Sequence, residues 1–167
     1  MRKVIADSSP LVAFIKKGEL SILKSLFKNL YLPSAVHMEL TQGIGANPEQ
    51  VGPLQEAIDD GWIIVEPIAR IHLPDLPLGN GESEAINACL DDPDACLLLM
   101  DEKKGRRIAS AKGIKMLGTI GVLALAFKTK LQDKDAGKNN LQKLLDAGFY
   151  LSSDTILEFY KFLDTTS

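Results

Sequence analysis

Four carboxylates are set where they could do chemistry together. Asp7 closes the apolar run Val4-Ile5-Ala6, and Asp101 closes Cys96-Leu97-Leu98-Leu99-Met100. Glu39 lies inside the segment opened by Pro33-Ser34, and Glu82 follows Asn80-Gly81 at the head of a helical stretch. Carboxylates crowded into one crevice repel, so some must hold a proton unless a cation neutralises them. Oxygen ligands without imidazole or thiolate suit Mg²⁺ or Mn²⁺. One or two such ions, roughly 3.5–4 Å apart when paired, activate a water and stabilise the leaving oxygen in phosphodiester cleavage. The chemistry that fits is phosphoryl transfer to water.

Each acid also has a purely structural reading. Asp7 and Asp101 could cap local turns, and Glu39 could be a solvated helix residue. Glu39 is, however, three residues from Val36 and next to Leu40, at the edge of an apolar stripe. Glu82, Ala85, Ile86 and Cys89 fall at i, i+3, i+4 and i+7 on one helix face. Glu82 therefore points along the apolar side, where an unpaired charge is costly. Glu84 shares a mainly polar face with Asn87, Ala88 and Asp91, which makes Glu82 the better ligand candidate of the two.

The elements that must hold these acids alternate. Short apolar strands are expected at Val4–Ala6, Leu30–Leu32, Trp62–Val65, Cys96–Met100 and Ile114–Leu117. Helices fall between them, the first with Ser9 as its cap and Pro10 in its first turn. A glycine-rich polar loop precedes a helix near Val51–Asp60, and a basic helix runs to about Ala111. Alternating strands and helices of this kind give a parallel sheet covered on both faces. In such a sheet ligands bind at the carboxyl ends of the strands, which is where Asp7 and Asp101 fall.

The chain has 167 residues, 46% hydrophobic and 25% charged, an ordinary globular composition that excludes a disordered chain, a collagen-like fibre or a coiled coil. The longest apolar run, Val122 to Phe127, is far short of the ~20 residues of a membrane span, and the opening Met1 to Asp7 meets an aspartate before any signal-peptide core develops. The expected location is the cytoplasm. Cys89 and Cys96 lack a Cys-x-x-Cys spacing and read as small buried hydrophobes in a reducing compartment. Charge is segregated: Glu82 to Glu102 carries acids and no base, Lys103 to Lys115 bases and no acid. Such a division is either ordinary surface or a cation-binding pole beside an anion-binding one. The net charge of −3 argues against a dedicated duplex-DNA binder, without excluding an enzyme that acts on nucleic acid.

Together these stretches resemble a PIN domain. The resemblance is carried by Val4-Ile5-Ala6-Asp7-Ser8-Ser9-Pro10-Leu11, Pro33-Ser34-Ala35-Val36-His37-Met38-Glu39-Leu40, Gly81-Glu82-Ser83-Glu84-Ala85-Ile86, Leu97-Leu98-Leu99-Met100-Asp101 and Gly118-Thr119-Ile120-Gly121-Val122-Leu123, in that order. It is closest to the branch catalogued as a domain of unknown function, which is similar to the toxin ribonucleases of prokaryotic toxin–antitoxin pairs. The resemblance implies a three-layer α/β/α sandwich with a central, mainly parallel five-stranded sheet. It implies a nuclease domain over residues 1–151, with a C-terminal helix in 152–167 packed on it. The implied activity is metal-dependent endoribonuclease, with Asp7, Glu39, Glu82 and Asp101 matching the acidic quartet and Glu84 fitting the spacing as an alternate for Glu82.

Ser8 and Ser9 match the hydroxyl residues that follow the first aspartate, with plain helix capping as the other reading of Ser9. Lys104, Arg106 and Arg107 would contact phosphate in a salt-sensitive way, or form a solvated helix face. The helix start at Gly118-Thr119 offers free N–H groups to an anion. The implied partners are single-stranded or structured RNA, a small antitoxin protein and a second copy of the chain. A candidate dimer surface is the exposed apolar side of the first helices or the last one, Thr155 to Leu163, where Ile156, Phe159, Tyr160 and Leu163 share a face that core packing explains equally well. Two readings from other classes stand beside it: a catalytically inactive nucleic-acid or protein-binding module on the same fold, and a small-molecule phosphohydrolase. The haloacid-dehalogenase pattern wants an aspartate where Ser9 stands, a receiver domain wants an acidic pair at Asp7, and no Walker loop occurs.

Overall fold

The computed structural model describes residues 2–43 and 46–166. Residues 44 and 45, in the expected glycine-rich loop, and the terminal Met1 and Ser167 lie outside the described residues. Five strands form one sheet: β1 (Lys3–Ala6), β2 (Leu30–Pro33), β3 (Ile63–Glu66), β4 (Cys96–Leu99) and β5 (Lys115–Leu117). Their order is β3-β2-β1-β4-β5 and every pairing is parallel. Adjacent parallel strands need crossovers, supplied by α1 (Ser8–Lys16), α2 (Leu20–Phe27), α3 (Ser34–Gln42), α4 (Pro48–Asp59), α5 (Asn80–Cys89) and α6 (Lys103–Ala111). After β5 come α7 (Thr119–Lys128), α8 (Lys134–Asp146) and α9 (Ser153–Thr165). The result is a three-layer α/β/α sandwich. No helix among the described residues is long and apolar enough to cross a membrane.

Alternation along the strands divides the core in two. Val4, Ala6, Leu30, Leu32 and Leu99 face a large cluster with Leu11, Phe14, Leu23, Val122 and Leu141. Ile5, Leu98 and Met100 face a smaller cluster with Ala85, Ile86 and Ala109 from α5 and α6. Side chains of period two on a strand and 3.6 on a helix produce this division without further instruction.

The last helix spends its apolar face on the core. Phe159 and Leu163 are buried, and Ile156 and Tyr160 pack against the large cluster. That face is thus not a free surface for a second copy. Cys89 and Cys96 are joined in a disulfide, not separate thiols. Cys89 ends α5 and Cys96 begins β4 after the turn Pro93–Ala95, so the chain doubles back and brings their Cα atoms to 5.5 Å, within bridging range.

Candidate active site at the carboxyl edge of the sheet

The register of β1 and β4 puts two of the acids side by side. Ala6 pairs with Leu99, and the Asp7 amide donates to the Leu99 carbonyl at 2.9 Å, so both strands deliver an aspartate to one edge. Asp7 occupies the cap position of α1 in extended conformation (φ −80°, ψ 169°), and the helix begins at Ser8. The expected cap at Ser9 is therefore corrected to Asp7, two residues earlier, which puts Pro10 third in the helix. The Asp7 carboxylate makes no capping bond. It is 1% exposed, and its Oδ1 is buried with no hydrogen-bond partner. Burial raises its pKa from the ordinary 3.8 to about 7, against the pull of the Ser8 amide, and the charges of Glu82, Glu39 and Asp101 push the same way.

The other acids have found donors. Both oxygens of Asp101 are occupied by Thr119, whose amide donates to Oδ1 at 2.7 Å and whose hydroxyl donates to Oδ2 at 2.6 Å. Asp101 thus satisfies an orphan N–H at the head of α7, a charge-assisted and dipole-favoured arrangement. The Thr119 amide and hydroxyl are thus both engaged by Asp101, and buried Thr119 orients this acid where it lines a groove with Ile120 and Gly121. Glu39 is exposed on α3, yet its Oε1 accepts from the Gly81 amide at 2.9 Å. Glu82 reaches back to the Gly79 amide at 2.9 Å, as the third residue of a helix does in a capping box. Glu84, the alternate to Glu82, accepts from the Ala35 amide at 2.8 Å. The bonds Glu84 to Ala35 and Gly81 to Glu39 tie α3 and α5 together at their heads, and Glu82 remains the acid whose charge Asp7 feels most.

Gly81 is a residue that the acids alone do not announce. A Cβ there would lie 2.5 Å from Glu39 Oε2, so only a glycine lets this carboxylate settle on the head of α5. Glu102 is a second: it caps α6 by accepting from the Lys104 and Gly105 amides, which hold its carboxyl below the usual range. Lys104 and Arg107 are exposed along α6, while Arg106 turns inward and donates to the Met100 carbonyl at 2.7 Å, one residue before Asp101. Ser8 and Ser9 are half-buried, and Ser9 lines a groove shared with Asp101 and Arg106.

The four acids meet at one edge without forming a ready cage. Among the described residues, no group of three or more His, Cys, Asp or Glu is drawn close enough to hold a metal ion. The donor chemistry nevertheless fits a hard cation. The set is all oxygen, and its buried member keeps a lone, unpartnered Oδ1 among three further carboxylates. The family model DUF3368, described as a PIN domain, matches residues 3–165. No curated protein and no solved structure matches the chain.

Proposed function

Because the chain belongs to the PIN-domain family, a nuclease fold, we propose that it is a metal-dependent endoribonuclease hydrolysing RNA phosphodiesters. One observation carries the reading: a carboxylate 1% exposed, one oxygen unpartnered, raised toward neutrality, at the strand edge where three other acids converge. Burying a charge without a partner is expensive, and a fold keeps such a group where a cation or a proton gives it a task.

Asp7 and Asp101 would hold Mg²⁺ or Mn²⁺, with Glu39 and Glu82 completing the set. Bound there, the ion would polarise the scissile phosphate and lower the pKa of a water. The chain's own residues do the positioning. Thr119 fixes the Asp101 carboxylate through both oxygens, Gly81 fixes Glu39, and burial keeps competing water from Asp7. Lys104 and Arg107 on α6 would meet phosphates leading away from the centre, in the salt-dependent way of backbone contacts. Ser8 and Ser9, which follow Asp7 at the head of α1, would donate hydrogen bonds to the same phosphate. The biological reading is a toxin of a toxin–antitoxin pair, acting in the cytoplasm, held in check by a small antitoxin protein and working as a homodimer.

The test is cleavage of an end-labelled single-stranded RNA with Mg²⁺ or Mn²⁺ against the same reaction in EDTA, for the wild type, Asp7→Asn and Asp101→Asn. Internal cuts that need the metal and fall by at least about a hundredfold in both variants are expected. An intact strand with either metal, together with no Mn²⁺ binding by calorimetry, refutes the nuclease reading. A specific observation favours a non-catalytic binding module in that event: Glu39, Glu82 and Asp101 each already accept from a backbone amide. Growth arrest on expression, relieved by Asp7→Asn, checks the toxin reading, and sedimentation checks the dimer.

A further inference from the structure

Beside the acids a groove of about 600 Å³ runs from Ser9 and Asp101, past Lys103 and Arg106, to Phe149 and Tyr150. Its far wall follows a hydrogen-bonded helix ending. Just past α8 stands Gly148 at φ +89°, with the Gly148 amide donating to the Leu145 carbonyl at 3.1 Å and the Phe149 amide to the Leu144 carbonyl at 3.0 Å. Those two bonds and the left-handed glycine make a Schellman ending, which turns the chain through a fixed angle. The turn sends Phe149 onto the core and leaves the next ring, Tyr150, 91% exposed at the groove. A bare aromatic ring sharing one groove with two cations and the Asp101 carboxylate matches the parts of a nucleotide: a flat base, an anionic phosphate and a scissile ester.

We propose that this groove seats one unpaired nucleotide of a single-stranded RNA, its base stacked on Tyr150 and its phosphate held by Lys103 and Arg106, beside the bond to be cut. The inference rests on the nuclease reading for its substrate and adds the subsite that selects unpaired over paired strands. Arg106 is preset, since its guanidinium already donates to the Met100 carbonyl at 2.7 Å and keeps other N–H groups to offer. The cations do not stop at the groove: Lys103, Arg106 and Arg107 also line an adjoining depression along α6, which gives the strand a path outward. Aromatic stacking recognises any base, so the subsite sets strandedness more than sequence.

Anisotropy of a short labelled single-stranded RNA in EDTA, intact or made abasic throughout, tests the groove apart from the chemistry. Tyr150→Ala is expected to weaken binding of the intact strand by about tenfold, the scale of one lost base–aromatic stack. Tyr150→Phe keeps the affinity, and no variant changes stability, because the ring is open to solvent. On strands made abasic throughout, wild type and Tyr150→Ala bind alike, whereas Lys103→Ala weakens both strands and flattens the salt dependence. Equal affinity of wild type and Tyr150→Ala for the intact strand, an equal loss on the abasic strand, tighter binding of a duplex, or no binding of RNA at all overturns the proposal. The same proteins with Mn²⁺ separate the two readings. Binding without cleavage sinks the nuclease and leaves the groove, while cleavage with Tyr150→Ala binding like wild type does the reverse.

Discussion

Replacing Asp7 by asparagine should make the protein more stable above neutral pH and leave it nearly unchanged in acid. The folded protein holds the Asp7 proton up to about pH 7, while the unfolded chain releases it near the ordinary 3.8. Between those values the native state binds more protons than the unfolded one, so stability falls as pH rises. At 1.36 kcal/mol per pH unit the whole displacement is worth about 4 kcal/mol, of which about 2.5 kcal/mol falls between pH 5 and pH 8. That is a large share of a typical domain's ~5–15 kcal/mol. Asparagine has the same shape and never ionises. Urea unfolding in EDTA at pH 5 and pH 8 should therefore show the difference between variant and wild type growing by about 2–3 kcal/mol, groups common to both cancelling. Mn²⁺ should close the gap from the other side. A cation that binds only the folded wild type adds about 2.7 kcal/mol at a hundredfold excess over its dissociation constant, and much less at pH 5 where the proton competes. A difference that stays flat from pH 5 to pH 8, or a Mn²⁺ gain equal in both proteins, would refute the claim that Asp7 is the strained member of a cation site.

Two further perturbations separate positioning from folding. In Gly81→Ala the new Cβ would fall 2.5 Å from Glu39 Oε2, and all three nearest atoms belong to that flexible side chain. Glu39 should swing away at little cost: stability stays within about 1 kcal/mol, since alanine suits a helix better than glycine, while metal-dependent cleavage drops at least about tenfold. Full cleavage by this variant would remove Glu39 from the set. Asn87→Ala should act through the fold. Its side chain takes the amides of His72 and Leu73 at 2.7 and 2.8 Å and donates to the carbonyls of Leu73 and Ser83, pinning residues 67–79 to α5. Losing this buried clasp should cost about 2–3 kcal/mol, with new protease cuts in 67–79; an unchanged urea midpoint would show that the loop holds itself.

The edge where Asp7 and Asp101 meet is legible in the sequence because two simple rules intersect there. Apolar runs too short for helices become buried parallel strands, and the residue that ends such a run is delivered to the ligand-binding edge. What those rules omit is orientation. Nothing in the spacing of Glu82 and Glu84 says that one folds back on the Gly79 amide while the other crosses to Ala35, because each choice depends on where α3 and α5 touch. Thr119 reads as a phosphate donor for the same reason. A helix head offers N–H groups to any anion, and the sequence does not say that Asp101, eighteen residues earlier, gets there first. The Cys89–Cys96 bridge is hidden in a helix end, a turn and a strand start, whose summed directions no spacing rule encodes.

These omissions have a common form. Three of the four acids are held by backbone amides at or beside the heads of α5 and α7, bonds which fix each carboxylate near the edge and which a cation could share through the remaining lone pairs. Asp7 has only the pull of the adjoining Ser8 amide, and its Oδ1 is left unpartnered. It is buried by its own strand before any helix can offer it a capping bond, and it pays in desolvation for sitting deepest. The order of the site follows from that difference: the tethered acids are set by the fold, and the untethered one is the point at which a cation or a proton must enter.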